Sequence, residues 1–179
     1  DFFHYPFLNS FLSSLRGSAA SLQDITMMSE SAINGLLFTA AKIGSLEEVQ
    51  GLLVMKGDVN FSNRNLKKGA TPLYVAAQQG HFDVVRYLMR KGANTSIRTT
   101  SGDSPVQAAA IGGFLNIVRY MIANTSKQTM LEYAKEAYDV VQPTAHDNVK
   151  EWLKRYIDNP QSLNLQPDHN LRLANLARE

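Results

Sequence analysis

The side chains able to do chemistry are few and lie far apart. The four histidines, His4, His81, His146 and His169, are scattered, and no His-Glu-x-x-His pair is present. There is no Gly-x-Ser-x-Gly elbow, no Walker phosphate loop and no Gly-x-Gly-x-x-Gly turn. Glu47 and Glu48 could suggest a general acid and base. Neighbours on a helix point about 100° apart, however, so a solvated face is the simpler reading. Zero cysteines exclude a thiolate zinc site, a cysteine nucleophile and a disulfide scaffold. Asn60-Phe61-Ser62, Asn94-Thr95-Ser96 and Asn124-Thr125-Ser126 each fit the glycosylation acceptor pattern. Each also follows an apolar helical stretch, where asparagine serves as a turn residue, and the turn reading is preferred. Nothing here assembles an active site. The sequence predicts no enzyme, no metal and no cofactor.

What the chain can build is more informative. Its 179 residues suffice for one domain, or one plus an appendage. With 44% hydrophobic and 19% charged residues it falls among ordinary globular chains rather than disordered ones. No stretch approaches the roughly 20 continuous apolar residues of a membrane span. The opening Asp1-Phe2-Phe3-His4-Tyr5-Pro6 has no starting Met and no basic head. It reads as a fragment or processed chain, and the absent signal and cysteines predict a cytoplasmic (intracellular) protein.

Self-similarity decides the architecture. Gly69 to Met89 overlays Gly102 to Ile122 at an offset of 33. Gly69 falls on Gly102, Thr71-Pro72 on Ser104-Pro105, Ala76-Ala77 on Ala109-Ala110, Gly80 on Gly113, and Val85-Arg86-Tyr87 on Val118-Arg119-Tyr120. A looser copy lies upstream at an offset of 36, with Ala40-Ala41, Gly44, Leu46 and Val49. The extra residues fit turns better than helices.

Each unit reads as two helices. Thr71-Pro72 is a start signal, a hydroxyl for free N–H groups followed by a proline that needs none. Leu73, Ala76 and Ala77 share a face, and Gly80 ends the first helix. A second helix at about Phe82 to Arg90 carries the apolar stripe Val84, Val85, Leu88 and Met89. Ile117, Val118, Met121 and Ile122 repeat that stripe. A lone pair of such helices cannot bury its apolar side, but stacked pairs can.

The run Thr71-Pro72-Leu73-Tyr74-Val75-Ala76-Ala77-Gln78-Gln79-Gly80-His81 resembles the signature of ankyrin repeats. The Val84-Val85 pair and Gly92-Ala93-Asn94 agree with that family. Tetratricopeptide repeats have a similar period but lack this start and its glycine. The resemblance implies an all-α solenoid of stacked helix-turn-helix units with helical caps. Departures are Tyr74 and Gln107 where the family places histidine, and Gly35-Leu36-Leu37-Phe38 in place of the tetrapeptide. The first copy is therefore expected to have a weaker helix start.

The expected domains are an N-terminal helical cap over 1–30, three repeats over 31–125, a degenerate fourth repeat or C-terminal cap over 126–160, and a polar tail over 161–179. The cap rests on the stripe Phe7, Leu8, Phe11, Leu12 and Leu15, which could alternatively anchor a partner or a membrane surface. Met130 to Val141 and His146 to Ile157 are the expected helices of the fourth unit.

Charge is uneven. Between Lys56 and Arg98, eight basic residues face two acidic ones for a net +6, which leaves −4 for the rest of a chain that totals +2. Such a segment could attract an acidic protein surface or, ranked lower, nucleic acid. The resemblance implies a protein–protein interaction module that binds through the loop before each Thr-Pro and the exposed end of each first helix. Carried onto this sequence, those positions are Lys67, Lys68, Ala70, Gln78 and Gln79, then Thr100, Ser101, Asp103 and Ile111, with Lys42 and Ile43 extending the face. Ile43 and Ile111 are candidate apolar anchors. The expected partner is another protein with an acidic surface, and the expected state is a monomer. The alternatives are nucleic-acid binding through 56–98 and a regulatory fragment of a larger enzyme.

Overall fold

Four of the described helices start at a hydroxyl side chain that replaces a missing backbone partner. The computed structural model describes residues 28–62, 69–142, 146–161 and 165. Within them eight helices follow in order: α1 Glu30–Ile43, α2 Leu46–Val54, α3 Pro72–Gln79, α4 Phe82–Arg90, α5 Pro105–Ile111, α6 Leu115–Ala123, α7 Lys127–Val141 and α8 Asp147–Asp158. Thr71 accepts from the Tyr74 N–H, and Ser126 accepts from the Thr129 N–H. Ser104 forms a reciprocal box with Gln107, whose side chain accepts from the Ser104 N–H at 2.8 Å. Pro72 and Pro105 occupy equivalent first turns.

The expected weak start of the first copy is corrected. Ser29 accepts from the Ala32 N–H at 3.2 Å, and α1 runs 14 residues. Gly35-Leu36-Leu37-Phe38 therefore lies inside a helix that begins one to two turns before the repeat pattern places it. The α7 helix likewise starts at Lys127, ahead of Met130, because Ser126 caps it. The α8 helix is shifted one residue from the expected span. The N-terminal stripe from Phe7 to Leu15 lies outside the described residues.

The helices form two rows. The inner row is α1, α3, α5 and α7, each in contact with the next, while α2, α4 and α6 line up behind it and α8 backs α7. Small residues allow the inner row to close up. Ala40, Ala41, Ala76, Ala77, Ala109, Ala110, Ala134 and Ala137 are all at most 1% exposed. The outer helices fill the space behind, with Val84, Val85, Leu88 and Met89 buried in α4 and Ile117, Val118, Met121 and Ile122 in α6. One continuous core results. The α7–α8 pair extends both rows. Its far side carries exposed Lys135, Asp139, Lys154 and Asp158 around a shallow recess, and Leu165 packs on the core nearby. Charges of both signs suit an end of a stack rather than a further contact.

A ring-on-glycine contact joins successive units. Gly80 ends α3 at φ 82, and a Cβ there would land on the Phe114 ring. Gly44 meets the His81 ring in the same way, and Gly113 meets His146. His81, Phe114 and His146 are the residues just before α4, α6 and α8. His81 Nε2 also lies 3.0 Å from the Lys42 carbonyl oxygen. This histidine is thus a joint between units.

Asparagines tie the outer loops together. Asn34, buried in α1, accepts from the Asp58 N–H at 2.7 Å. Asn60 accepts from the Asn94 N–H at 2.7 Å, and Asn94 accepts from the Ser96 N–H at 2.8 Å. Asn124 donates to the Tyr120 carbonyl at 2.8 Å. For Asn60, Asn94 and Asn124 these are the turn roles read from the sequence, whereas Asn34 acts from inside α1.

Gly102 separates backbone strain from ring contact, since its φ is 88 but nothing lies near its would-be Cβ. Gly102→Ala should cost about 1–2 kcal/mol, the price of a left-handed backbone alone. Gly80→Ala should cost clearly more, because Phe114 must also move. Urea midpoints of the two variants check the order.

Candidate protein-binding face

The expected contact residues that are exposed fall on two rims. The first is formed by the C-terminal ends of the inner helices. Lys42 and Ile43 end α1, Gln78 and Gln79 end α3, and Ile111 ends α5, all of them exposed. Ile43 is 66% exposed and Ile111 48%, the two most exposed large apolar side chains among the described residues. The second rim is the turn preceding α5. The Thr99 N–H donates to the Asp103 carbonyl at 3.0 Å, and the Asp103 N–H donates to Thr99 Oγ1 at 3.1 Å. This closure buries Thr99 and turns Thr100 and Ser101 outward, with Asp103 half-buried beside them. The two rims are one inner helix apart. For the 7 residues of α5 that is about 10 Å.

Not every expected contact residue reaches a rim. Ala70 is 3% exposed, so its assignment to a partner-binding surface is corrected. A small side chain immediately before the Thr71 cap folds into the core and presents nothing. Lys67 and Lys68 lie outside the described residues. On either side of those residues, Ser62 Oγ donates to the Gly69 carbonyl at 2.9 Å.

Arg98, counted in the sequence only as part of a basic segment, holds the second rim in place. Its Nη2 lies 2.6 Å from Glu136 Oε1 on α7. Its Nη1 donates to the Gly102 carbonyl at 3.0 Å and to Gln107 Oε1 at 3.4 Å. One guanidinium thus links the turn, α5 and α7, using the rigid fork that suits arginine to such sites. Tyr133 adds a parallel tie, its hydroxyl 2.9 Å from Ser96 Oγ. Glu136 and Tyr133 stand 37 or more positions from their partners, so no local pattern signals them. The Ser104-x-x-Gln107 spacing, by contrast, was a readable capping signal.

The described residues of the basic segment do not form one stripe. Arg86 pairs with Asp83 at 3.1 Å and sits over the Phe82 ring on the outer row. Lys91 sits over Tyr87, also on the outer row. Arg98 is committed on the opposite side. The α3 and α5 helices carry no charged residue at all. Among the described residues no group of three or more metal-capable side chains occurs, and no helix is long and apolar enough to cross a membrane.

A family described as Ankyrin repeats (3 copies) matches this chain over residues 11–99 and 36–132. The chain belongs to the ankyrin-repeat family. Ankyrin repeats are helical solenoid units that act as protein–protein interaction modules, and the paired rows follow that plan. Among curated proteins, the chain is 44% identical over 63 residues to alpha-latrocrustotoxin-Lt1a of Latrodectus tredecimguttatus, which covers 35% of this chain and 4% of the toxin. It is 34% identical over 83 residues to the 60 kDa lysophospholipase of Mus musculus, 46% of this chain and 14% of that protein. It is 43% identical over 64 residues to ankyrin repeat domain-containing protein 40 of Homo sapiens, 36% and 17% respectively. The matched portion is thus a small part of each of these longer proteins.

Tyr74, standing where the family places histidine, lies between the rims and is half-buried. Burial, and after it the negative charge of Asp103, pushes its phenol above the ordinary 10.0. Burial alone raises Tyr156. A raised folded value means the folded chain holds these protons more tightly than the unfolded chain does. Their contribution to stability is complete below pH 10 and is lost as pH climbs toward the folded values. Urea midpoints measured across alkaline pH should therefore fall above that point. The fall should be shallower in Tyr74→Phe and in Asp103→Asn.

Proposed function

We propose that this repeat segment is a preformed platform for a partner protein, engaged through the inner helix ends and the turn before α5. The contact set is Lys42, Ile43, Gln78, Gln79, Thr100, Ser101, Asp103 and Ile111, together with Lys67 and Lys68. The observation that carries the reading is the exposure of Ile43 and Ile111 at matching helix ends, while their neighbours build the core. The α1, α3 and α5 helices hold these side chains at fixed spacing, so little conformational entropy is lost on association. Modest contacts then add.

In this reading the segment binds and does not catalyse. The likeness to a lysophospholipase reaches only 14% of that enzyme. The working organisation is three repeats over 31–125 flanked by caps over 1–30 and 126–160, with 161–179 as a tail. The segment acts as a monomer in the cytoplasm and needs no cofactor. Nucleic-acid binding through 56–98 is not favoured, because Arg86 and Arg98 already have carboxylate partners.

Site-directed photo-crosslinking tests the face. A benzophenone side chain at Gln79 should yield protein adducts in a native extract, whereas the same group at Glu47, exposed on the outer α2, should not. Equal yields from both positions, or none from Gln79, would reject the platform.

A further inference from the structure

The protein-binding reading leaves open what the partner presents, and the helix-end rim narrows it. Four observations converge there. First, its two strongly exposed apolar side chains, Ile43 and Ile111, stand on α1 and α5, with α3 between them. Adjacent packed helices lie about 10 Å apart, so the two anchors are separated by roughly 20 Å. Second, the ground between them is uncharged, since α3 and α5 contain neither acidic nor basic residues. Third, the exposed side chains on that ground are the amides of Gln78 and Gln79, each both donor and acceptor. Fourth, the half-buried ring of Phe114, set on Gly80, lies just past the end of α3 and adds apolar surface beside the rim.

The geometry points to an extended, uncharged peptide segment whose two apolar side chains, six residues apart, seat on Ile43 and Ile111. A strand rises about 3.3 Å per residue, so six residues span roughly 20 Å. An even spacing also returns both side chains to one side of the strand. An extended backbone offers free N–H and C=O groups to the two glutamine amides, as in strand-type peptide recognition. A helical partner has already satisfied those groups within itself and would need about 13 residues for the same reach. An acidic partner gains nothing from α3 and α5, and only Lys42 on this rim would attract it. This inference rests on the platform proposed above and assigns it a ligand class.

Selection from a random linear-peptide library displayed on phage, against the full 179-residue chain, tests it. Enriched sequences should share two aliphatic or aromatic positions six apart with no charged residue between them. A synthetic peptide of the enriched sequence should bind with little change between low and physiological salt. Ile43→Asp and Ile111→Asp should each weaken it at least about tenfold. Val54→Asp, at an exposed site on the outer row, should not. Ile43→Ser and Ile111→Ser provide the same test should either aspartate variant lose its helical circular dichroism. Enrichment of acidic sequences, a steep fall of affinity with salt, wild-type binding by the Ile variants, or no enrichment at all would overturn the assignment. Adducts from Gln79 alongside any of these results would leave the platform standing and remove only its ligand class.

Discussion

Everything in this molecule depends on how closely the inner helices approach one another. Paired alanines at the same place in α1, α3 and α5, with Ala134 and Ala137 in α7, bring the row into contact along fully buried faces. A larger side chain at any of these sites would overpack the joint and change its angle. The outer helices are fixed in turn, because their valine, isoleucine, leucine and methionine stripes fill the wedge that the inner row leaves. The spacing of the exposed helix ends is then no independent property. It is the alanine contact read out at the surface.

Two kinds of bond keep that spacing uniform from unit to unit. Rings from His81, Phe114 and His146 rest on a glycine at or just past the end of the preceding inner helix. Asn34 and Asn60 hold backbone N–H groups of the outer loops, Asn60 reaching across to the next unit. The Arg98–Glu136 pair does the same on the inner side, linking the turn before α5 to α7. It leaves Glu136 Oε2 buried and without a hydrogen-bond partner among the described residues. A carboxylate held this way favours position over energy, since a half-satisfied buried polar group costs stability.

The middle of the fold was legible in the sequence because its signals are local. Thr71-Pro72, Ser104-Pro105, Gly80 and Gly113 are punctuation with direct backbone causes, and α3 to α6 follow them closely. The first copy misled because the expected motif was missing while the working cap, Ser29, stood six residues ahead of it. At the candidate face the exposed isoleucines could be placed, since a helix ending at Gly44 or Gly112 leaves its last residue outside. Ala70 could not, because a residue next to a cap reads as loop until the loop is seen folding inward. The charge count failed for a different reason. Summing a segment assumes one surface, yet Arg86 and Arg98 end up on opposite rows with different partners.

The direction of the ring-on-glycine contact has a bearing on synthesis. Gly44, Gly80 and Gly113 each receive their cover from the following unit. As the chain leaves a ribosome, every newly emerged helix pair stays open at its trailing joint until its successor clears the exit tunnel. Closure then proceeds one unit at a time, from the amino terminus onward.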